Sequence, residues 1–212
     1  MDEYGRVVEI CEREYLALDF RDVELLDYLL SRNIKENGFQ PTGIVGIGRW
    51  GNETANRLSM YLDLDRALSV AYKRYGDGIG KASKARCYQG LAASIRGQRV
   101  IVADEIADGG HTLRIAVDEQ IRPGKPVEVK TAAPIIKLKT NPRPDFWVME
   151  TDKWVLLQRK MFSNILDLLY EYAERFGIEA VISKISDPAN GLGYPDYVTS
   201  EALSTFRKNK TR

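Results

Sequence analysis

The stretch that most constrains the fold of this chain is residues 99–112, which read RVIVADEIADGGHT. Its apolar run, residues 100–103, has no polar alternation, which is typical of a parallel strand buried on both faces. Two adjacent acids, Asp104 and Glu105, follow, and small residues then lead to a helical pattern from Thr112. α/β sheets bind phosphorylated ligands where a strand runs into such a helix. Because neighbouring carboxylates accept hydrogen bonds from hydroxyl groups, the stretch predicts a sugar-phosphate site.

Strands and helices are predicted to alternate on both sides of this stretch. The other predicted strands of this part of the chain are residues 43–48, 66–72 and 127–136. Helices are predicted at residues 19–37, with Asp19 as N-cap, and at residues 52–62 and 112–121. This alternation predicts an α/β fold with a parallel sheet flanked by helices.

The C-terminal part of the chain has a different pattern. An amphipathic helix is predicted beyond Arg159 and ends at Gly177, and two shorter helices follow. We therefore expect a core with a nucleobase-binding segment at residues 1–157 and a small helical bundle at residues 158–212. The 212 residues suffice for one α/β domain and such an appendage.

A glycine-rich turn at residues 46–51, GIGRWG, formally matches a dinucleotide-binding fingerprint. Arg49 and Trp50 are large where the backbone of that motif should approach a pyrophosphate closely. A tight turn that presents main-chain N–H groups to a free pyrophosphate, with Arg49 adding charge, fits better. A plain strand-to-helix turn and a dinucleotide-binding domain are the alternatives.

Residues 73–89 are rich in glycine, lysine and arginine and are long for a routine connection. A solvated hairpin is one interpretation of this composition. The other is a basic lid that closes over an anionic substrate.

Residues 100–112 resemble the phosphoribosyl pyrophosphate (PRPP) motif of type I phosphoribosyltransferases. Residues 48–51 stand where that family has its pyrophosphate loop, and residues 73–89 where it has its flexible catalytic loop. The resemblance covers roughly residues 14–157. It implies the type I phosphoribosyltransferase fold, here with a C-terminal helical appendage, and a non-proline cis peptide between Gly48 and Arg49.

The resemblance also implies roles for individual residues. Asp104 and Glu105 would bind the ribose hydroxyls and hold Mg²⁺, directly or through water, and Asp108 would be the catalytic acid that moves a proton of the base. The residues implied for the 5′-phosphate are Ala107, Asp108, Gly109, Gly110, His111 and Thr112. Those implied for pyrophosphate are Gly48, Arg49, Trp50, Lys73, Arg74, Lys81, Lys84 and Arg86.

A purine is the base that the resemblance implies. The base-binding residues would be Ile106, Lys137, Trp154 and Val155. Trp154 would stack on the base, the backbone of Val155 would hydrogen-bond its edge, and Lys137 would reach its 6-substituent. Without the family context, Trp154 could equally be a core tryptophan.

The chain departs from the 6-oxopurine enzymes at several points. Gly109 stands where a phosphate-binding threonine is common, His111 replaces a frequent lysine, and the acidic pair has the less usual order. The segment after Trp154 is basic and is followed by a long helical tail, a combination that resembles crenarchaeal adenine phosphoribosyltransferases. Adenine is therefore the expected base, with hypoxanthine, guanine or xanthine as the alternative, although a lysine suits a 6-oxo group.

The expected reaction is adenine plus PRPP giving AMP and pyrophosphate, with Mg²⁺ as cofactor. The net charge of +1 gives no general attraction to nucleic acid, and no apolar run is long enough to span a bilayer. We therefore expect a cytoplasmic enzyme with neither nucleic acid nor membrane as partner. The resemblance implies a homodimer. A regulator that binds PRPP without catalysis is the alternative from another class.

Overall fold

The computed structural model describes residues 4–74, 85–187 and 192–210. The chain divides into two compact units. The core unit is Leu25–Asp152, and the terminal unit combines Met1–Glu24 with Lys153–Arg212. The strands are β1 (Arg6–Ile10), β2 (Arg13–Leu18), β3 (Gly43–Ile47), β4 (Leu68–Arg74), β5 (Ala85–Gln89), β6 (Arg99–Ala103), β7 (Ile106–Ala107), β8 (Glu128–Ala132), β9 (Ile135–Lys137), β10 (Met149–Thr151) and β11 (Trp154–Leu157). The α-helices are α1 (Phe20–Glu36), α2 (Gly48–Tyr61), α3 (His111–Ala116), α4 (Met161–Phe176), α5 (Ile178–Ser186) and α6 (Asp196–Lys210).

A five-stranded sheet in the order β5-β4-β3-β6-β8 lies at the centre of the core unit. Its pairings are parallel except for the antiparallel pair β4 and β5. Val100 and Val102 of β6 pack in a hydrophobic cluster with α3, whereas Ile101 and Ala103 pack in another with α1 and α2. Helices therefore cover both faces of the sheet, which confirms the predicted α/β fold.

A second, smaller sheet in the core unit has the order β10-β9-β7. The sequence predicted one strand over residues 127–136, but the structure contains two strands, β8 and β9, in different sheets. Pro134 lies between them and has no N–H to donate to a continuing ladder. Its carbonyl instead accepts hydrogen bonds from the backbone N–H groups of Val148 and Met149, at 3.2 and 3.1 Å.

The start of helix α1 agrees with the prediction from sequence, whereas the start of α2 differs from it. At α1, Asp19 Oδ1 accepts a hydrogen bond from Asp22 N at 2.8 Å and Asp22 Oδ2 accepts one from Asp19 N at 3.0 Å. This reciprocal cap confirms Asp19 as the N-cap. Helix α2 begins at Gly48, four residues before the predicted start, so the glycine turn is part of its first turn.

No helix of the described ranges combines the length and apolar character needed to cross a bilayer.

The terminal unit contains the three-stranded sheet β1-β2-β11 and the helices α4, α5 and α6. Ile10, Tyr15 and Leu156 from the sheet share one hydrophobic core with residues of all three helices. The predicted boundary at residue 157 therefore differs from the structural one. The first strands and β11 belong with the C-terminal helices because β2 and β11 pair and bury their side chains against them.

Candidate active site

The acidic pair lies at the carboxyl end of β6. The backbone N–H of Asp104 donates to the Ala132 carbonyl of neighbouring β8 at 3.0 Å, which ties this residue to the sheet. Asp104 Oδ1 accepts a hydrogen bond from the Glu105 backbone N–H at 2.9 Å. Both acids are half-buried. They are therefore fixed at the rim of the sheet and accessible to a ligand.

The glycine turn reaches the same edge of the sheet. Because β3 and β6 are parallel neighbours, with Gly46 opposite Ala103, the loops that follow them emerge side by side. Gly51 approaches the acidic pair so closely that a Cβ there would lie 2.9 Å from both Ala103 O and Asp104 Oδ1. The structure thus brings the predicted pyrophosphate loop against the predicted ribose site.

The peptide between Gly48 and Arg49 is trans, contrary to the expected cis bond. Within the described ranges, the cis peptide bond is Asn141–Pro142. Gly48 instead makes the turn through its left-handed backbone, with φ of +63°, which glycine adopts without steric cost. Arg49 is exposed, and its guanidinium carbon lies 5.9 Å from the centroid of the Trp50 ring.

The predicted phosphate loop joins β7 to α3. Strand β7 pairs with β9, and Gly110 then precedes α3 with φ of +74°. A Cβ at Gly110 would overlap the Pro142 carbonyl. Both this close contact and the positive φ therefore require a glycine at this position. The loop encloses a cavity of about 50 Å³, lined by Asp104, Ile106, Ala107, Asp108, Gly109, Gly110, Thr112 and Leu113. Residues from one stretch of sequence therefore form one small pocket, and His111 begins the helix beside it.

The turn after β9 contacts this loop. Lys137, the predicted base-binding lysine, ends β9 and is buried, with 8% of its surface exposed. The hydroxyl of buried Thr140 lies 2.6 Å from the Ala107 carbonyl and 2.9 Å from the Asp108 carbonyl. Lys139 Nζ lies 3.3 Å from Asp108 Oδ1. Sequence reasoning missed Lys139 and Thr140, because the partners of Thr140 are more than 30 residues away.

A carboxylate fixes the loop that follows this turn. Asp145 Oδ2 accepts hydrogen bonds from the backbone N–H and the hydroxyl of Thr131, both at 2.8 Å, and Oδ1 accepts one from Lys130 at 3.1 Å. Burial acts to raise the pKa of Asp145, but the hydrogen bonds from Thr131 and Lys130 outweigh it and hold that pKa below its ordinary value. Asp145 is thus kept ionised as an anchor of the loop.

Trp154 and Val155 lie in the terminal unit. Trp154 is 45% exposed, so the alternative that it is a core tryptophan is wrong, whereas Val155 is buried. The guanidinium carbon of Arg13 lies 5.8 Å from the Trp154 ring centroid, within the range of a cation–π contact. Arg13 also forms a 2.8 Å ion pair with Glu171 of α4. An exposed indole is therefore held beside an anchored arginine.

The predicted lid begins and ends in the antiparallel strands β4 and β5. Lys73 pairs in register with Arg86, and Arg74 with Ala85. Arg86 is exposed. Lys81 and Lys84 lie outside the described residues. Strand β4 is the parallel neighbour of β3, so this basic segment extends from the strand next to the glycine turn.

The acids present do not form a protein-only metal cage: in the described part of the chain, no group of three or more His, Cys, Asp or Glu side chains could hold a metal ion. The adjacent pair Asp104 and Glu105 suits Mg²⁺, which prefers oxygen ligands. This ion is commonly held by one or two carboxylates and completes its shell with substrate phosphates and water.

The family model for the phosphoribosyl transferase domain matches residues 25–171. The chain belongs to the phosphoribosyltransferase family. The match begins at the first residue of the core unit and extends into α4. It favours the phosphoribosyltransferase interpretation of residues 46–51 over a dinucleotide-binding domain.

Solved structures of this family share the fold. The purine phosphoribosyltransferase from Pyrococcus horikoshii is 26% identical, with a TM-score of 0.58 over 66% of this chain and 90% of that one. The xanthine-guanine-hypoxanthine phosphoribosyltransferase of Helicobacter pylori is 16% identical, with a TM-score of 0.56 over 71% of this chain and 95% of that one. A hypoxanthine phosphoribosyltransferase from Staphylococcus aureus is 15% identical, with a TM-score of 0.52 over 71% of this chain and 78% of that one. No curated protein sequence matched significantly.

Proposed function

We propose that the protein is a purine phosphoribosyltransferase that converts adenine and PRPP into AMP and pyrophosphate. The observation that carries this proposal is the packing of Gly51 against Asp104 at the sheet edge where the loop of residues 107–112 begins. A turn suited to pyrophosphate, a pair of hydroxyl acceptors and a phosphate-sized loop adjoin one another. PRPP carries the three matching groups in the same molecule.

The ribose 5-phosphate part of PRPP would bind at the end of β6. Asp104 and Glu105 accept hydrogen bonds from the ribose 2′- and 3′-hydroxyls, since an ionised carboxylate can only accept. The 5′-phosphate lies in the loop formed by Ala107, Asp108, Gly109, Gly110, His111 and Thr112. Because Gly109 supplies no hydroxyl, backbone N–H groups carry most of this recognition.

The pyrophosphate part would bind at the turn of Gly48, Arg49 and Trp50. The exposed guanidinium of Arg49 supplies positive charge there. The basic residues Lys73, Arg74, Lys81, Lys84 and Arg86 of the β4–β5 segment supply more, and lid closure over the substrate excludes water from the reacting centre. Mg²⁺ at Asp104 and Glu105 would neutralise part of the negative charge that leaves with pyrophosphate.

In the reaction, N9 of the base forms a bond to C1′ of the ribose. The C1′–O bond to pyrophosphate breaks, and its electron pair leaves with pyrophosphate. The proton that the imidazole ring of the base gives up passes to the carboxylate of Asp108. This side chain is 47% exposed at the phosphate loop and is therefore accessible to a bound base.

The base would stack on Trp154, whose indole is exposed and held beside Arg13. The backbone of Val155 and the side chains of Ile106 and Lys137 are the other residues that we propose to bind the base. The preference for adenine rests on the resemblance of the basic segment after Trp154 and of the helical tail to crenarchaeal adenine phosphoribosyltransferases. With adenine as the base, the proposed role of the protein is to form AMP in purine salvage.

A 6-oxopurine is the second candidate for the base. Lys137 is buried and its side-chain nitrogen can donate hydrogen bonds. A 6-oxo group is an acceptor, whereas adenine presents a 6-amino donor at that position. The solved relatives from Helicobacter pylori and Staphylococcus aureus are named for 6-oxopurines. These observations favour hypoxanthine, guanine or xanthine over adenine if Lys137 contacts the 6-substituent.

Separate reactions with adenine, hypoxanthine, guanine and xanthine, each with PRPP and Mg²⁺, test this assignment. The nucleotide products are separated by chromatography. We expect AMP to form with the highest kcat/KM. Preferential formation of IMP, GMP or XMP would replace adenine by the corresponding 6-oxopurine and leave the reaction class intact. The variant Lys137→Gln serves as a probe, because it should reduce use of 6-oxopurines more than use of adenine.

A further inference from the structure

Thr140 belongs to a turn that no motif marks, yet its hydroxyl contacts the predicted phosphate loop directly. The side chain is buried, with 4% of the residue exposed. Its Oγ1 lies 2.6 Å from Ala107 O and 2.9 Å from Asp108 O, and it accepts a hydrogen bond from the Lys137 backbone N–H at 2.9 Å. The hydroxyl has one proton, which the two carbonyls share. The hydroxyl therefore uses its one proton and one of its two acceptor lone pairs within the site.

The position of Thr140 is itself fixed. Its backbone N–H donates to the Lys137 carbonyl at 2.9 Å, so the chain closes a tight turn immediately after β9. Strand β9 pairs with β7, the strand that leads into the phosphate loop. The turn and the paired strands β7 and β9 therefore fix the position of the hydroxyl beside the carbonyls of Ala107 and Asp108.

These contacts determine which way two peptide groups of the loop face. In a trans peptide unit the C=O and N–H bonds point in opposite directions. Because the Ala107 and Asp108 carbonyls point to Thr140, the N–H groups of Asp108 and Gly109 point away from it. Thr140 does not line the loop cavity, whereas Ala107, Asp108 and Gly109 do.

We infer that Thr140 is a positioning residue that keeps the N–H groups of the phosphate loop directed toward the 5′-phosphate. Rotation of either peptide would replace a donor by a carbonyl oxygen, which repels an anion. Gly109 makes this orientation more important, because the loop lacks the hydroxyl that a threonine there would provide. The inference rests on the proposed function. It adds that the hydroxyl of Thr140 ties the turn after Lys137 to the backbone of the phosphate loop.

The test uses the full-length protein and the variants Thr140→Val and Thr140→Ser. Valine has nearly the shape of threonine without the hydroxyl, and serine keeps the hydroxyl. The control is Thr199→Val, since Thr199 in α6 is also buried and its hydroxyl also contacts a backbone carbonyl, that of Pro195 at 3.3 Å. Titration calorimetry measures the Kd of ribose 5-phosphate and of pyrophosphate, and thermal unfolding shows that each variant is folded.

We expect Thr140→Val to raise the Kd of ribose 5-phosphate by about tenfold, the loss of roughly one net hydrogen bond. The Kd of pyrophosphate should stay within about twofold, because that ligand binds at the glycine turn. Thr140→Ser and Thr199→Val should bind ribose 5-phosphate as the wild type does. A folded Thr140→Val protein with unchanged affinity, equal losses in the valine and serine variants, or equal losses for both ligands would overturn the role of Thr140. A wild-type protein that binds neither ligand would contradict the proposed function itself.

Discussion

The ammonium group of Lys139 lies 3.3 Å from Oδ1 of Asp108, the carboxylate proposed to accept the proton of the base. Both side chains are well exposed, 74% for Lys139 and 47% for Asp108. Exposed pairs of this kind contribute little to stability, about 0.2–1 kcal/mol. Substitution of each partner in turn therefore distinguishes two causes of lost activity. Replacing Asp108 removes the proton acceptor, whereas replacing Lys139 removes only its neighbouring positive charge.

Asp108→Asn should lower kcat by roughly 10²–10⁴, the usual contribution of a positioned acid or base. Lys139→Gln should lower kcat by less than about tenfold, because solvent screens an exposed pair. Steady-state kinetics at saturating PRPP and base measures both, and thermal unfolding is expected to place both variants near the wild type. Equal losses of kcat in the two variants would show that the ion pair matters and that proton transfer by Asp108 does not.

Gly51→Ala should displace Asp104, the residue that Gly51 contacts. An alanine in a helix is ordinarily favoured over glycine by up to about 1 kcal/mol. Here the added Cβ would lie 2.9 Å from Asp104 Oδ1, so the acid must move. We expect a loss of about 1–3 kcal/mol in the free energy of unfolding and a raised KM for PRPP.

Gly90→Ala is the control for Gly51→Ala. A Cβ at Gly90 would meet the end of the flexible Gln120 side chain at 3.0 Å, which can move aside. Urea denaturation and initial rates compare the two variants. Wild-type KM for PRPP in a folded Gly51→Ala protein would show that Asp104 need not be held in place.

Trp154→Ala tests the stacking surface. A base–aromatic stack is worth about 1–3 kcal/mol, so we expect the KM for the purine to rise by roughly tenfold or more while the KM for PRPP stays near the wild type. Tyr197→Ala removes another exposed aromatic side chain of the terminal unit and should change neither constant. An equal rise of both KM values in Trp154→Ala would indicate a general structural defect.

Asp145→Asn should destabilise the protein in a pH-dependent way. The pKa of Asp145 is lowered in the folded state, so its carboxylate stabilises the fold above the unfolded-state pKa, about 3.9. That stabilisation is lost as the pH falls through the lower folded-state pKa. The difference in unfolding free energy between wild type and variant should therefore be on the order of 1 kcal/mol at pH 7 and should narrow below about pH 4.

Urea denaturation at pH 7 and at pH 3 measures this difference. The control is Asp118→Asn, which removes an exposed carboxylate from the pair with Arg122 and should cost less than about 0.5 kcal/mol. A difference for Asp145→Asn that is constant or larger at pH 3 would rule out its hydrogen bonds as the source of stability.

Local patterns were enough to predict the parallel strands β3, β4 and β6 of the central sheet, but not its antiparallel edge strand β5 or the end of β8 before Pro134. The strands β3 and β6 are continuous apolar runs, and Asp19 carries its capping function in its own side chain. The acidic pair and the phosphate loop are contiguous in sequence, so their assembly into one pocket was also predictable. The start of helix α2 at Gly48 was not predicted, because the residues before Gly48 do not distinguish an isolated turn from the first turn of a helix.

Features that depend on distant residues were missed. Thr140 contacts carbonyls of residues 107 and 108, and periodicity carries no signal for such a partner. The pairing of Trp154 with Tyr15 unites the two ends of the chain in the terminal unit, although the intervening sequence forms the core unit. The trans peptide after Gly48 also differs from what the family resemblance implied, and Gly48 has a φ of +63° there.

Pyrophosphate release tests the central claim most directly. Purified protein with Mg²⁺ is given PRPP, adenine or both, and a coupled assay follows pyrophosphate. Rapid release, with one AMP formed per pyrophosphate, should require both substrates and should fall at least a hundredfold when Asp104 and Glu105 are replaced by Asn and Gln. PRPP binding without pyrophosphate release with adenine or any 6-oxopurine would contradict the account and identify a PRPP-binding regulator instead.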